Sequence, residues 1–295
     1  MDRRSFLVGL ALLSAAGCMP RKSALTVGSK NFTEQLVLGE LLAQLLESAC
    51  RQPVERRFYL AGTYICHQAL LAGRIDMYVE YTGTALAAIL KEHPSGDSAS
   101  VYQQVKDAYQ RQFNLDVMPP LGFNNSFAMV MRGDDARRMK VTTLSQLASA
   151  SPNLRLGVGY EFLERQDGYV GLVSTYRLKF AEAPRVMDLG LLYRALQNKS
   201  VDVVAGNNTD GLIAALGFVV LDDDKRYFPP YDAVPIVRPQ VFQECPQARA
   251  AFDRLGGRIT AEDMRNMNYA VDEEKKDAAE VVREFLHGPR LEQAN

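Results

Sequence analysis

One pattern in the chain occurs twice. ALLAGRIDMYVEYTG, from Ala69 to Gly83, and ALQNKSVDVVAGNNT, from Ala195 to Thr209, align at a constant offset. Each reads as a helix end, a turn, and a hydrophobic–Asp–hydrophobic strand running into a polar loop. LTVGSKNFTE, beginning at Leu25, has a looser counterpart in LRLGVGYEFLE, Leu154 to Glu164. Such a repeat points to two lobes of similar α/β architecture. Ligands of open α/β sheets bind beyond the carboxyl ends of the strands, so two lobes facing each other form a cleft.

The pass along the chain supports this. Leu25–Ser29 reads as a strand, followed by a helix with Leu38, Leu41, Leu42, Leu45 and Leu46 on one face. Glu34, Glu40, Gln44 and Glu47 fall on the other face, with Thr33 as the expected N-cap. Val54–Leu60 alternates as a half-buried strand does. A helix through TYICHQALLAG, a strand at Ile75–Tyr81 and a short helix from near Thr84 follow. Alternation of this kind predicts βαβ units and a largely parallel sheet.

LGFNNSFAMVM, Leu121 to Met131, follows a Pro-Pro pair and reads as a strand leaving the first lobe. DDDKRYFPPYDAVPIVR, Asp222 to Arg238, is the expected return. The tail from Cys245 to His287 reads as helical and rejoins the first lobe, with Phe252, Leu255, Met264, Met267 and Phe285 as core. The expected division is a signal segment at 1–17, one lobe from 18–123 with 229–295, and a second lobe at 124–228.

The N-terminus, MDRRSFLVGLALLSAAGC, has the Arg3–Arg4 pair, an apolar run from Phe6 to Leu13, and small residues before Cys18. This is the order of a bacterial lipoprotein signal, with cleavage before Cys18 and lipid on its sulfur. RRSFL also resembles a twin-arginine signal, so the export route stays open. The expectation is an exported protein tethered to the membrane by lipid, in the periplasm or at the cell surface. A net charge of −1 over 295 residues argues against nucleic acid as a partner. Three cysteines remain beyond Cys18, so at least one is unpaired. A Cys50–Cys66 bridge is one available pairing, which spacing alone does not fix. His67, His93 and His287 are scattered, and no zinc site is expected.

No nucleophile elbow, Walker sequence or zincin motif occurs. The strand ends offer two other kinds of group. Lys30, Thr84 and Arg165 can hold a carboxylate, Arg165 through two parallel hydrogen bonds. Tyr81, Phe127 and Tyr231 can hold an alkylated ammonium by cation–π attraction, about 0.5–2 kcal/mol each. Singly, each aromatic is better read as a core side chain; their shared position at strand ends and crossings is what suggests a site. Lys30 stands just before a helix N-terminus, which repels cations. It is either a solvated surface lysine or half of an anion site.

VGSKNFTEQLVLGELLAQLLE, GRIDMYVEYTGTAL, PPLGFNNSFAM, DGYVGL, TDGLI and DDDKRYFPPYDAVPIVR resemble the substrate-binding proteins of ABC importers for glycine betaine, choline and related osmoprotectants. The likeness runs from about Leu25 to Leu286. It implies a two-lobed periplasmic binding protein of type II, with two chain crossings, that closes on a small zwitterionic ligand and presents it to a permease. It implies no enzyme activity, no cofactor and a monomer. By motif position, Lys30, Thr84 and Arg165 would hold the ligand carboxylate, which accounts for a lysine at a helix start. Tyr81 and Tyr231 keep two walls of the family's aromatic cage, and Phe127 replaces a tyrosine at a third. Asn207 stands where a fourth tyrosine is expected, and Asn125 where some members carry aspartate. The repeat sets Asn207 opposite Tyr81 across the cleft. The ligand reading is a carboxylated quaternary ammonium such as glycine betaine. The alternative is another betaine (ergothioneine, proline betaine or carnitine) in a retuned pocket, with choline ranked lower because it lacks a carboxylate. An enzyme on the same fold, as porphobilinogen deaminase is, would need a cleft cysteine, which the strand-end motifs lack. A lipoprotein that has lost its ligand is disfavoured by the joint presence of Lys30, Thr84 and Arg165.

Overall fold

The computed structural model describes residues 24–92 and 97–288. Cys18, His93 and the export segment lie outside the described residues. Among the described residues ten strands are formed: β1 (Leu25–Gly28), β2 (Val54–Arg57), β3 (Met77–Tyr81), β4 (Asp116–Val117), β5 (Phe127–Arg132), β6 (Leu156–Val158), β7 (Arg185–Val186), β8 (Val203–Asn207), β9 (Phe218–Val220) and β10 (Ala233–Val237). They make two five-stranded sheets of the same plan, β2-β1-β3-β10-β4 and β7-β6-β8-β5-β9. β1 is parallel to both its neighbours, as β6 is to its own. β10 and β5 run antiparallel to theirs. Each antiparallel strand is reached only after the chain has come across from the other sheet, so the two crossings are built into the topology.

Strand alternation places a core on both faces of each sheet. Met77, Val79 and Tyr81 join a cluster with Leu38, Leu42, Leu46 and Phe252, while Tyr78 joins one with Leu70, Leu86 and Tyr109. In the second sheet Met129 and Met131 pack with Leu156 and Val203, and Ala128 and Val130 with Leu192 and Leu196. Both faces are covered, as a sheet with parallel crossovers requires.

Four details differ from the sequence reading. The Thr33–Cys50 helix is not capped by Thr33; Phe32 holds the cap position, and the Thr33 hydroxyl donates to Asp272 Oδ1 at 2.6 Å. Its supposedly polar face is covered too: Glu34 is 1% exposed and Glu40 is buried. The Gln247–Leu255, Ala261–Asp272 and Ala278–Leu286 helices pack on this helix, so it is enclosed from both sides. Glu40 is accommodated by Arg56, whose Nε lies 3.0 Å from it. β2 stops at Arg57 because Tyr59 and Ala61 take positive φ, 61° and 132°, which no ladder accepts. The disulfide joins Cys50 to Cys245, leaving Cys66 free and buried.

No helix among the described residues is long and apolar enough to cross a membrane.

Candidate functional site

A cavity of about 610 Å³ lies where the strand ends of the two sheets face each other. Lys30, Tyr81, Thr84, Asn125, Phe127, Arg165, Asn207 and Tyr231 all line it. Lys30 follows β1, Tyr81 closes β3, and Thr84 ends the helical turn after it. Phe127 opens β5 and Asn207 closes β8, directly opposite each other in the ladder. Asn125 and Tyr231 lie on the two crossings and are joined by Asn125 N–H donating to the Tyr231 carbonyl at 2.9 Å.

Close backbone approach fixes the second crossing against the Tyr81 loop. Thr82 N–H donates to Asp232 O at 3.0 Å, and the Thr82 hydroxyl accepts from Asp232 N–H at 3.1 Å. Gly83 is needed there: a Cβ would meet the Pro230 carbonyl at 2.7 Å and the Tyr231 ring at 2.8 Å. Any side chain would push Tyr231 off the cavity wall.

Both cations of the cavity are already partnered from behind. The Lys30 ammonium pairs with buried Glu80 and lies 4.9 Å from the Tyr81 ring centroid. Arg165 donates through Nε to Asp167 Oδ1 at 2.8 Å and through Nη2 to Oδ2. Its guanidinium sits over Phe127, 4.7 Å to the centroid. Nη1 has no hydrogen-bond partner among the described residues, so one edge of the fork is open to the cavity. Thr84, buried in the wall, likewise has no hydroxyl partner among them.

Of the four tyrosines lining the cavity, Tyr64, Tyr81, Tyr160 and Tyr231, two donate to buried carboxylates: Tyr81 to Glu34 at 2.6 Å and Tyr231 to Asp167 at 2.6 Å. Burial, then the adjacent carboxylate, holds both phenols well above their usual range, so they stay protonated donors. Glu34 also accepts from Asn125 Nδ2 (2.7 Å), Thr209 Oγ1 (2.5 Å) and Asn268 Nδ2 (3.2 Å). Burial raises its carboxyl above the ordinary value, and these four bonds pull against that.

Sequence reasoning missed the acids. Glu80 directly precedes Tyr81 and Asp167 lies two residues beyond Arg165, so both stood inside quoted motifs without being singled out. Glu161 and Asp188 also line the cavity. Glu161 Oε1 accepts from Thr63 N–H at 2.7 Å, capping from the second lobe a helix of the first. Among the described residues no group of three or more His, Cys, Asp or Glu is placed to hold a metal.

Two matched α/β lobes, two crossings and a cavity between strand ends define a two-lobed solute-binding protein. The chain belongs to the family described as the substrate-binding domain of the ABC-type glycine betaine transport system, which matches residues 23–288. It is 35% identical over 282 residues to an ergothioneine transport permease/ergothioneine binding protein of Helicobacter pylori strain G27. That match takes in 94% of this chain but only 50% of the relative, so the chain spans half its length. A carnitine transport binding protein of Listeria monocytogenes is 32% identical over 90% of this chain and 86% of its own. The crystal structure of a glycine betaine/carnitine/choline ABC transporter superposes with a TM-score of 0.74 at 31% identity, over 89% of this chain and 97% of that one. These relatives are transport proteins, not enzymes. Substrate-binding proteins of such importers work outside the cytoplasm, on a small molecule, with a permease as partner.

Proposed function

We propose that this protein is the lipid-tethered receptor of an importer for a betaine, a zwitterion with a carboxylate and a quaternary ammonium. The observation that carries this is that the cavity wall presents both signs of charge. Lys30 and Arg165 are each neutralised by an acid behind them, and Glu161 and Asp188 add negative charge at the wall. A simple anion gains little from such a wall, whereas a net-neutral molecule with separated charges is complemented at both ends. The open edge of Arg165, with Lys30 and Thr84, takes the carboxylate; Tyr81, Phe127 and Tyr231 offer rings to the ammonium. Asn207, with space of about 610 Å³, favours a betaine bulkier than glycine betaine, and ergothioneine and carnitine are of that kind. Anchoring through Cys18 follows from the signal motif alone.

The test is a thermal-shift screen of glycine betaine, proline betaine, carnitine, ergothioneine, choline and proline. A ligand bound only by the folded state at a hundred times its Kd adds about 2.7 kcal/mol. The expected result is a Tm rise with at least one carboxylated betaine and a smaller one, or none, with choline. Silence from every carboxylated betaine, or choline shifting most, would overturn the reading.

A further inference from the structure

We propose that the outer part of this cavity is a second subsite, one that takes an uncharged hydrocarbon extension carried by the betaine. The inference rests on the betaine reading above and narrows the substrate class to betaines with such a chain.

Burial sorts the cavity lining into a floor and a rim. Lys30, Tyr81, Thr84, Arg165 and Tyr231 are almost wholly buried and form the floor, where the charged headgroup is read. Tyr64, Ile65, Tyr160 and Val186 line the same cavity but are between 38% and 68% exposed. Single exposed apolar side chains are ordinary on a protein surface. Four of them around one cavity mouth, drawn from both lobes, make a patch, and such patches mark places that something apolar covers.

The two halves of the rim are held together. Tyr64 and Ile65 lie in the first turn of the Thr63–Leu71 helix, and Tyr160 opens the Tyr160–Glu164 helix of the second lobe. Their neighbours Thr63 and Glu161 share the hydrogen bond that spans the lobes, and a Cβ on Gly62 would collide with the Glu161 carboxylate. Val186 ends β7, and Met187 and Leu189 continue the apolar lining from it. An extension leaving the floor therefore meets hydrocarbon from both lobes. There is room for one: about 610 Å³ falls in the range of roughly 300–1,000 Å³ that encloses drug-sized ligands, well beyond a compact headgroup.

Two acids limit what the extension can be. Glu161 and Asp188 stand in the same lining. Each is fixed by a backbone N–H near a helix start, Thr63 for Glu161 at 2.7 Å and Gly190 for Asp188 at 2.9 Å. A chain ending in a carboxylate meets their repulsion, and an uncharged chain does not.

Calorimetry on the purified protein with acetyl-, butyryl- and hexanoylcarnitine tests this. The series keeps headgroup and ester constant and changes only the chain. Each added methylene that leaves water should tighten binding roughly two- to fourfold. Glutarylcarnitine, whose chain ends in a carboxylate, should bind no better than acetylcarnitine. Ile65→Ser combined with Val186→Ser should flatten the series; both side chains are half exposed, so the changes leave the core untouched. The readout is the ratio of hexanoyl- to acetylcarnitine within one protein, so a general loss of affinity cancels. Affinity that stays level or falls along the series, or no acylcarnitine binding at all, while glycine betaine or carnitine binds, would overturn the subsite and leave the betaine reading standing. A gain that survives the double substitution would take the role away from the rim. If none of these compounds binds, glycine betaine included, the betaine reading fails and this inference with it.

Discussion

Asn207 ends β8 as Tyr81 ends β3, at equivalent places in the two sheets, and it faces Phe127 across the ladder. An amide there leaves the ring set of Tyr81, Phe127 and Tyr231 open on one side. Asn207→Tyr should close it. One added ring is worth about 0.5–2 kcal/mol to a cation, which is roughly a 2- to 30-fold gain. Calorimetry with glycine betaine measures this, and bulkier betaines should lose affinity as the cavity shrinks. Weaker or unchanged glycine betaine binding would mean that this position is not a wall of the ammonium site. All eight candidate residues line the cavity; six were legible from their place at strand ends and crossings, and Asn125 and Asn207 only through the family resemblance. Glu34 was not. Periodicity assumes that a helix has one wet face, and it carries no sign of the C-terminal helices that cover this one.

The two similar α/β lobes were legible because the repeated unit carries its own hydrophobic pattern. The strand order was not, nor that β5 and β10, which follow the crossings, run antiparallel to their neighbours and make each sheet mixed. The disulfide was not, since Cys50 and Cys245 are 195 positions apart and meet only through the second crossing. The bond ties the end of the Thr33–Cys50 helix to the C-cap of the Gln240–Glu244 helix, within the first lobe. Closing so long a loop restricts the unfolded chain, and losing a bridge of this kind typically costs about 2–5 kcal/mol. Cys245→Ser should therefore lower Tm by roughly 5–15 °C and abolish the effect of reductant. Cys66→Ala should leave sensitivity to reductant intact, because that thiol is buried and unpaired. If instead Cys66→Ala removed the sensitivity, Cys50 would be bonded to Cys66 after all.

The lobes meet at points beyond the cavity as well as around it. Thr63 N–H reaches Glu161 from one lobe to the other. Elsewhere Thr209 donates to Glu34 and accepts through its carbonyl from Asn268, and Gly211 lies so close to Tyr269 that a Cβ would meet its backbone nitrogen at 2.5 Å. Asp210 sits between these contacts, taking hydrogen bonds from the Tyr193 hydroxyl and Asn207 N–H. Being surrounded by protein is the main cause that pushes its carboxyl from 3.8 up to about 7; those hydrogen bonds oppose the rise, and the charges of Glu34 and Asp272 add to it. Burial raises Glu34 and Asp272 in the same direction. Between about pH 4 and 7 the folded protein thus holds a proton on Asp210 that the unfolded chain has released. Stability from this group is complete at the acid end of that window and is lost as pH rises through 7. Asp202, lowered to about 2 by its arginine partners against the opposing effect of burial, works in the opposite sense, but only at more acid pH. Between pH 5 and 8 the His67 imidazole, held below its ordinary value by burial, works against Asp210, so Asp210 is isolated by comparing the protein with Asp210→Asn. The Asp210 contribution to Tm should fall as pH rises across that range and level off near its upper end. Asp210→Asn, which carries no titrating proton, should remove that fall, leaving what Glu34, Asp272, Asp232 and His67 contribute. Parallel curves for the two proteins would show that Asp210 ionises freely, and that bringing the lobes together does not take up a proton there.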